Sequence, residues 1–325
     1  MSSECTSNLS AKEDFCEPAP ILRLPVEIIT AIIYLVLGRN HLATERSNYL
    51  TLLDLTKLRS VSRYFRHVIN DLLFWFHLDL FFTGRNLHDH TKYYQLCDAL
   101  LDDKQFASAV GRRDLWRFSH FRYLDLACKK IPSFHENVTH VHLDFAFSEE
   151  NDLTAALELL VGCNRLTALE LNPAETGAFR QDLTVICKLL PSLQNLDIRG
   201  DPLFMPCGTL SELTQLRHFT FALVDHSIKS SDAINFLPLS SATSLTSLSI
   251  IGSIFTEVDI NQLETFKNLS ALRFLHNFVD VACDFMIRTN LRLEKFDVYV
   301  YEHLINPTKL VSMFRCEIAS KFKDT

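Results

Sequence analysis

The sequence is poor in the residues that interrupt regular structure, with only 8 glycines and 10 prolines among 325 residues. Disordered and low-complexity chains are rich in such residues and poor in apolar ones. Here 47% of the residues are hydrophobic and 22% are charged. The composition therefore predicts a folded chain, and its length allows two ordinary domains or one extended array.

The sequence also lacks the motifs of common catalytic and cofactor sites. It has no G-x-x-x-x-G-K-[ST] phosphate loop, no G-x-G-x-x-G and no G-x-S-x-G. Two His-x-His pairs occur, His88/His90 and His140/His142. Because residues two apart share a face of a strand, the second pair would need only one more ligand to chelate a metal. Contact with a partner or with solvent is the simpler interpretation, so we predict no metal, no cofactor and no catalytic site.

Redox motifs and long apolar segments are missing as well. The 9 cysteines include no C-x-x-C pair, and an odd number fits reduced, mostly buried thiols. The longest mostly apolar segment, residues 28–37 with only Thr30 polar, is too short to cross a bilayer. The first residues are acidic and polar, unlike a targeting signal. These observations predict a cytoplasmic or nuclear protein, or one in both places, with no membrane partner.

Positive charge is scarce overall, since the net charge is −7. Nucleic-acid binding rests on clustered lysine and arginine, so we predict no nucleic-acid partner. Residues 21–76 are the exception, with seven Lys/Arg against four Asp/Glu. A solvated helix face and a surface complementary to an acidic partner are both compatible with this basic segment.

Two amphipathic segments follow an N-terminal stretch without periodicity. Apolar residues at helical spacing predict a first helix that begins at Pro25 and ends near Gly38. The polar residues 39–48 predict a loop. A second helix is predicted from Asp54, a good capping residue, to Leu72. Short amphipathic helices must bury their apolar faces against each other or against a partner.

Within these segments, L-P-x-E-I at residues 24–28 precedes V-S-R-x-F-R at residues 61–66. In this order, over residues 22–76, they resemble the F-box. That family is a three-helix module that docks on a Skp-type adaptor, which joins it to cullin and RING subunits. The resemblance implies that the adaptor binds the apolar residues at the matching positions: Leu24, Pro25, Ile28, Ile32, Leu55, Leu58, Val61 and Phe65.

After residue 120 a hexad of the form L-x-x-L-x-L recurs. Eight copies start at Phe121, Val138, Leu166, Leu193, Leu216, Leu245, Leu269 and Leu293. The first interval is 17 residues, and the others (28, 27, 23, 29, 24 and 24) lie within a period of 20–29. The pattern resembles the leucine-rich-repeat family, which implies parallel strands on a concave side and helices outside. Helix-like segments at 152–161, 182–190 and 282–288 lie between the hexads.

These patterns predict an α/β chain with four parts. A flexible arm spans residues 1–20 and an F-box module spans 21–76. A degenerate first repeat or connector spans 77–120, with an initial strand at Phe76-x-Leu78-x-Leu80 and a helical segment at 92–111. An irregular leucine-rich-repeat solenoid spans 121–325.

The residue between the last two apolar positions of each hexad should point outward on the concave face. For substrate binding this pattern predicts Asp125, His142, Glu170, Asp197, Arg273 and Asp297. With Asp144, four acids fall in the first half, so a basic target segment is expected there. Ordinary solvated strand positions are the alternative.

The hypothesis is a substrate-recognition subunit of an SCF-type cullin–RING ubiquitin ligase. It would bind a Skp-type adaptor through the F-box and an unknown protein substrate through the repeats. One alternative is a non-ligase scaffold that uses the helices for another partner, and another is an enzyme with a grafted site. Irregular repeats present a shape without a residue code, so the target itself is not predicted.

Overall fold

The structure is a computed structural model in which the chain forms two compact units, Met1–Phe74 and Trp75–Thr325. It describes residues 24–29, 31–32, 47–71, 80–81, 90–144, 153–172, 180–200, 205–207, 210, 212–223, 244–251, 266–275 and 293–299. The predicted N-terminal arm, the strand residues 76 and 78 and the helix at 282–288 lie outside these residues.

The first unit is helical. Residues 26–29 and 31–32 are helical, and the backbone amides of Ile28 and Ile29 donate to the carbonyl of Pro25 at 3.0 and 3.1 Å. This turn confirms the predicted helix start at the proline. The Tyr64 hydroxyl donates to the Leu24 carbonyl at 3.0 Å, so the first turn lies beside the last helix of the unit.

The prediction of a single helix from Asp54 to Leu72 is wrong, because two helices occupy this region. They span Ser47–Val61 and Arg63–Asp71. Ser62 separates them, and its hydroxyl oxygen accepts from the Phe65 amide at 3.1 Å, which caps the second helix. Asp54 lies inside the helix Ser47–Val61, and its Oδ1 is 3.5 Å from the Lys57 ammonium nitrogen. A break of one residue hardly alters the apolar spacing, so the periodicity does not register it.

Apolar side chains from both helices are buried, among them Leu52, Leu55, Phe65, Val68 and Ile69. Arg59 is buried as well, at 7% exposure. Arg59 belongs to the basic segment of residues 21–76, but its burial means that it is not part of a solvated basic helix face. Lys57, Arg63, Arg66 and His67 are exposed.

The second unit is built on an eight-stranded parallel sheet whose strand order follows the sequence. Its strands are β1 Leu115–Phe118, β2 His140–Leu143, β3 Ala168–Leu171, β5 Asn195–Gly200, β7 His218–Leu223, β8 Ser247–Ile251, β9 Ala271–Leu275 and β10 Lys295–Tyr299. A separate parallel pair, β4 Arg180–Asp182 and β6 Met205–Cys207, was not predicted. Sequential parallel strands joined by connecting segments are the topology of a solenoid.

One backbone contact repeats at every junction between consecutive strands of this sheet. The carbonyl of the residue before each strand accepts the two amides that open the next strand. At the first junction Asp114 accepts from Thr139 and His140 at 2.8 and 3.0 Å, and at the last Ser270 accepts from Glu294 and Lys295 at 2.8 and 3.0 Å. Because this contact fixes the start of each strand, differences in repeat length are absorbed in the connecting segments.

The seven hexads from Val138 onward are confirmed as strands. Each first hexad residue is buried just before its strand: Val138, Leu166, Leu193, Leu216, Leu245, Leu269 and Leu293. In β2 the burial alternates, with Val141 and Leu143 buried and His140 and His142 half-buried. Such alternation is expected of a sheet with one face in the core. The predicted helices near 152–161 and 182–190 are present as Leu153–Glu158 and Thr184–Leu189.

The hexad at Phe121 is not a strand, and this prediction is wrong. Residues Phe121–Lys130 form a helix that His120 caps, its Nδ1 accepting from the Arg122 amide at 3.1 Å. The buried residues Tyr123, Leu124, Leu126 and Ala127 form one helical face. A pattern of apolar residues at positions 1, 4 and 6 fits both the face of a helix and a strand after a turn.

The first strand is β1, which pairs in register with β2. Trp116 and Phe118 fill its inward positions, and Arg113 occupies the place of the first leucine. The Arg113 guanidinium is buried against the Trp116 ring, with its carbon 5.2 Å from the ring centroid. A repeat that starts at residue 113 lies 25 residues before Val138, within the normal period. The solenoid therefore begins before the predicted boundary at residue 121.

Aromatic side chains close this end of the solenoid. The Phe81 ring stacks on Trp116, Phe118 and Tyr123, with centroids 5.7, 5.6 and 6.0 Å apart. The Phe81 carbonyl accepts from the Ser119 amide at 3.0 Å. The predicted helical segment at 92–111 is present as two helices, His90–Leu101 and Lys104–Val110.

Candidate functional site

The helical unit exposes an unusual share of large apolar side chains. Among the described residues six are exposed, and four of them belong to this unit: Val26 at 44%, Ile28 at 48%, Ile32 at 38% and Val61 at 68%. Pro25, at the start of the first turn, is also exposed. Single exposed apolar residues are common, but several of them within one small helical unit favour a binding surface. We call Pro25, Val26, Ile28, Ile32 and Val61 the apolar surface.

The eight residues predicted to bind an adaptor fall into three groups. Pro25, Ile28, Ile32 and Val61 belong to the apolar surface, and Leu24 and Leu58 are half-buried. Leu55 and Phe65 are buried, at 0% and 7% exposure, so little of either side chain is available to an adaptor. Their adaptor contact stays a prediction, and in the folded unit both side chains pack in the core. Val26 was missed because it fills the variable position of L-P-x-E-I.

The open face of the solenoid sheet carries a continuous row of polar side chains. Successive strands place in register Arg117, His142, Glu170, Asp197, Thr220, Ser249, Arg273 and Asp297. All eight side chains are half-buried, whereas the positions next to them along the strands include buried residues of the core. Asp125 is not in this row, because it lies on the Phe121–Lys130 helix and pairs with Lys129 at 2.7 Å. In the row, Arg117 occupies the position that was predicted for Asp125.

Glu170 is the centre of a charged cluster in the first half of the row. Its Oε1 lies 2.9 Å from His140 Nε2, and its Oε2 lies 3.3 Å from His142 Nδ1. Arg117 Nε donates to the same His142 Nδ1 at 3.2 Å. Because a guanidinium keeps its protons, Nδ1 acts as an acceptor and the ring of His142 is neutral. Burial lowers the pKa of His142, in agreement with the neutral ring. The hydrogen bond from His140 lowers the pKa of Glu170.

The other acids of the first half have partners too. Arg199 binds Asp197 through two nitrogens, with Nε 3.0 Å from Oδ1 and Nη2 2.7 Å from Oδ2. Asp144 is buried and accepts from Asn172 Nδ2 at 3.1 Å. With Asp125 elsewhere, three acids remain in this half, Asp144, Glu170 and Asp197, against two cations, Arg117 and Arg199. Because all three carboxylates already have hydrogen-bonding partners, the surface is less acidic than expected, and a basic target segment stays a prediction.

Acid should destabilise the solenoid, and His142 should contribute in the mildly acid range. Its pKa is lowered in the folded chain, so the unfolded chain takes up the proton first and stability falls as the pH drops below about 6.5. Glu170 acts lower, because its depressed pKa stabilises the fold above about 4.5 and this contribution is lost in stronger acid. Burial lowers the pKa of His142 most, and the nearby charges partly cancel, because Glu170 and Asp144 raise this pKa whereas Arg117 and Arg199 lower it.

The measurement is urea unfolding at pH 7.5 and 5.5 for the wild type and for His142→Asn. The variant should lose less stability between the two pH values. Burial also lowers the pKa values of His90 and His120, but both residues are present in both proteins. Parallel pH profiles of the two proteins would contradict the assignment.

The four free cysteines in the described part of the chain are not activated as nucleophiles. Burial raises the pKa of Cys128 and of Cys163 to about 12, and raises those of Cys97 and Cys187. Since the thiolate is the nucleophile, none of these four free cysteines is primed to react. In the same described ranges no three His, Cys, Asp or Glu side chains are placed to hold a metal. No helix there is long and apolar enough to cross a membrane.

Comparison with known proteins bears on both units. A family model described as F-box-like matches residues 21–81. No curated protein matches the chain. Solved structures that match include an internalin from Listeria monocytogenes, at 13% identity and a TM-score of 0.27, over 63% of this chain and 74% of the internalin. A score this low carries no argument, so the solenoid is assigned from its own strand order and repeat spacing. The chain thus combines an F-box-like domain with a leucine-rich-repeat solenoid.

Proposed function

We propose that the chain is the substrate-recognition subunit of an SCF-type cullin–RING ubiquitin ligase. The observation that carries the proposal is the apolar surface within the F-box-like domain. F-box domains generally bind Skp-type adaptors, and Pro25, Ile28, Ile32 and Val61 stand at positions that match the family motif and are exposed. An adaptor with apolar side chains of its own would bury them.

Electrostatics supports the same partner. Lys57, Arg63, Arg66 and His67 are exposed on the helical unit, within the chain's basic segment. Skp-type adaptors are acidic as a family, so opposite charges would speed association and orient the complex. In the complex the adaptor would join the chain to cullin and RING subunits.

The solenoid supplies the substrate platform in this proposal. Parallel strands hold the polar row in fixed register. Its half-buried side chains present hydrogen-bond donors and acceptors together with charges of both signs. The chain would catalyse nothing itself. It would hold a substrate near the transferring enzyme, so that transfer proceeds at a high effective concentration. The proposed setting is the cytoplasm, the nucleus or both.

Affinity capture of the tagged full chain from cells tests the proposal, with neddylation inhibited so that bound substrates persist. Adaptor, cullin and RING subunits should be recovered with the wild type and lost with the double variant Ile28→Asp/Val61→Asp. Substrates should bind both chains while neddylation is inhibited, and after the inhibitor is removed their ubiquitination should rise only with the wild type. Recovery of another stoichiometric partner on the apolar surface, without adaptor, would contradict the proposal and favour a non-ligase scaffold.

A further inference from the structure

A depression of about 410 Å³ lies on the open face in the second half of the solenoid. Its floor is made of small side chains, among them Ala222, Ser247, Ser249 and Ala271. Ser247 and Ala271 are neighbours in register on β8 and β9. At the equivalent position the flanking strands carry larger polar side chains, His218 on β7 and Lys295 on β10. The replacement of larger polar side chains by serine and alanine leaves the space.

Positive charge surrounds this space. Arg199 lies on one side and Arg273 and Lys295 on the other, whereas Asp297 is the single acid among the described residues that line it. Arg273 Nη2 and Lys295 Nζ lie 3.1 and 3.4 Å from the same oxygen of Asp297. Outside the depression, Asp197 pairs with Arg199 and Glu170 acts on it electrostatically, so the positive charge of the lining is greatest near Arg273 and Lys295.

The depression also offers neutral hydrogen-bonding groups. Ser249 stands at its centre in the polar row, between Thr220 and Arg273. Its hydroxyl oxygen is buried and makes no hydrogen bond within the described part of the chain. A buried hydroxyl without a partner costs stability, and such a group in a native structure requires an explanation.

We infer that this depression binds an anionic side chain, a carboxylate or a phosphate ester, on an extended segment of the substrate protein. The inference rests on the proposed function and gives its substrate a chemical class. Guanidinium groups form paired hydrogen bonds with both kinds of anion. A cavity with floor residues this small admits a side chain end-on, and three cations against one carboxylate in the described lining favour an anion over a cation. An extended segment would cross the strands with its anionic residue directed into the depression.

The test screens the purified full chain, with no adaptor present, against random peptides that share one fixed central residue. The arms carry aspartate, glutamate, phosphoserine, serine or lysine at that position. Wild-type chain should enrich at least one anionic arm tenfold or more over the lysine arm. Enrichment of the phosphoserine arm alone identifies a phosphate ester as the ligand, and enrichment of the aspartate and glutamate arms identifies a carboxylate.

Two variants locate the binding in the depression. Arg273→Gln/Lys295→Gln removes two cations, and Ser247→Leu fills the floor without a change of charge. Each should reduce the enrichment at least tenfold. Lys129→Glu is the matched control, because it breaks an exposed ion pair on a helix rather than on the open face, and it should bind like the wild type.

No anionic enrichment by the folded wild-type chain would overturn the inference, as would enrichment that both depression variants retain. Higher salt should weaken the interaction, because it shortens the distance over which exposed charges attract each other, which is about 8 Å at physiological ionic strength. The screen does not depend on the adaptor, so failure of adaptor binding would reject the proposed function without affecting this result.

Discussion

Replacing Ile28 and Val61 with aspartate should weaken the binding of a Skp-type adaptor by at least a hundredfold and leave the chain folded. Both side chains are exposed, Val61 at 68%, so the folded state loses little packing. In the complex, burial of each apolar side chain contributes roughly 1.5–3 kcal/mol. Two such losses exceed about 3 kcal/mol, and every 1.4 kcal/mol is a factor of about ten in Kd. Burying the new carboxylates would cost more still.

The solenoid offers a matched control in Val161, which is 51% exposed. Val161→Asp makes the same chemical change outside the F-box-like domain and should keep the wild-type Kd. Leu55→Ala should act differently, because Leu55 is fully buried and its loss destabilises the helices. A folded double variant that binds adaptor with the wild-type Kd would show that the apolar surface is not the interface.

Trp116→Ala should destabilise the solenoid by about 3–5 kcal/mol, as large-to-small changes at buried aromatic residues do. The Trp116 side chain is 1% exposed. Its ring packs edge-on against Phe134, with centroids 5.4 Å apart, and its Nε1 donates to the Arg113 carbonyl at 3.2 Å. The variant would lose these contacts together with the stack on Phe81 and leave a cavity at the end of the sheet.

Leu115→Ala, one residue earlier in β1, is the control. Leu115 is 41% exposed, so its replacement should change the free energy of unfolding by less than about 1 kcal/mol. Urea unfolding followed by circular dichroism measures both variants. Equal effects at the two positions would contradict the strand assigned to residues 115–118, because a strand must alternate between inward and outward positions.

Seven of the strands were predictable because leucine-type hexads recur at a regular interval and strands alternate with period 2. The first strand was not, because Arg113, Trp116 and Phe118 stand where leucine is expected and a helical sequence nearby also fits the hexad. Side-chain contacts mark β1 as part of the core: the buried Arg113 contacts the Trp116 ring, and the Phe81 ring stacks on both Trp116 and Phe118. The Phe81 contacts join residues far apart in sequence, so they are not visible in a local pattern.

The candidate sites were predictable to a similar extent. The F-box resemblance identified apolar positions on the helices, but the spacing could not separate the exposed Ile28 from the buried Leu55. On the solenoid, the outward positions from His142 onward were placed correctly. Their partners were not, because the contact of His140 with Glu170 joins two strands and depends on their register. That register gives acids of the expected acidic surface hydrogen-bonding partners on neighbouring strands.

The most direct test of the proposed function is titration of the purified full chain with a purified Skp-type adaptor by calorimetry. The proposed function predicts a one-to-one complex with a Kd below about 1 μM, a binding free energy of roughly −8 kcal/mol or stronger. The Ile28→Asp/Val61→Asp variant should abolish the heat of binding, and Val161→Asp should preserve it. A chain that is folded by circular dichroism and still gives no binding heat and no co-elution with the adaptor would contradict the account.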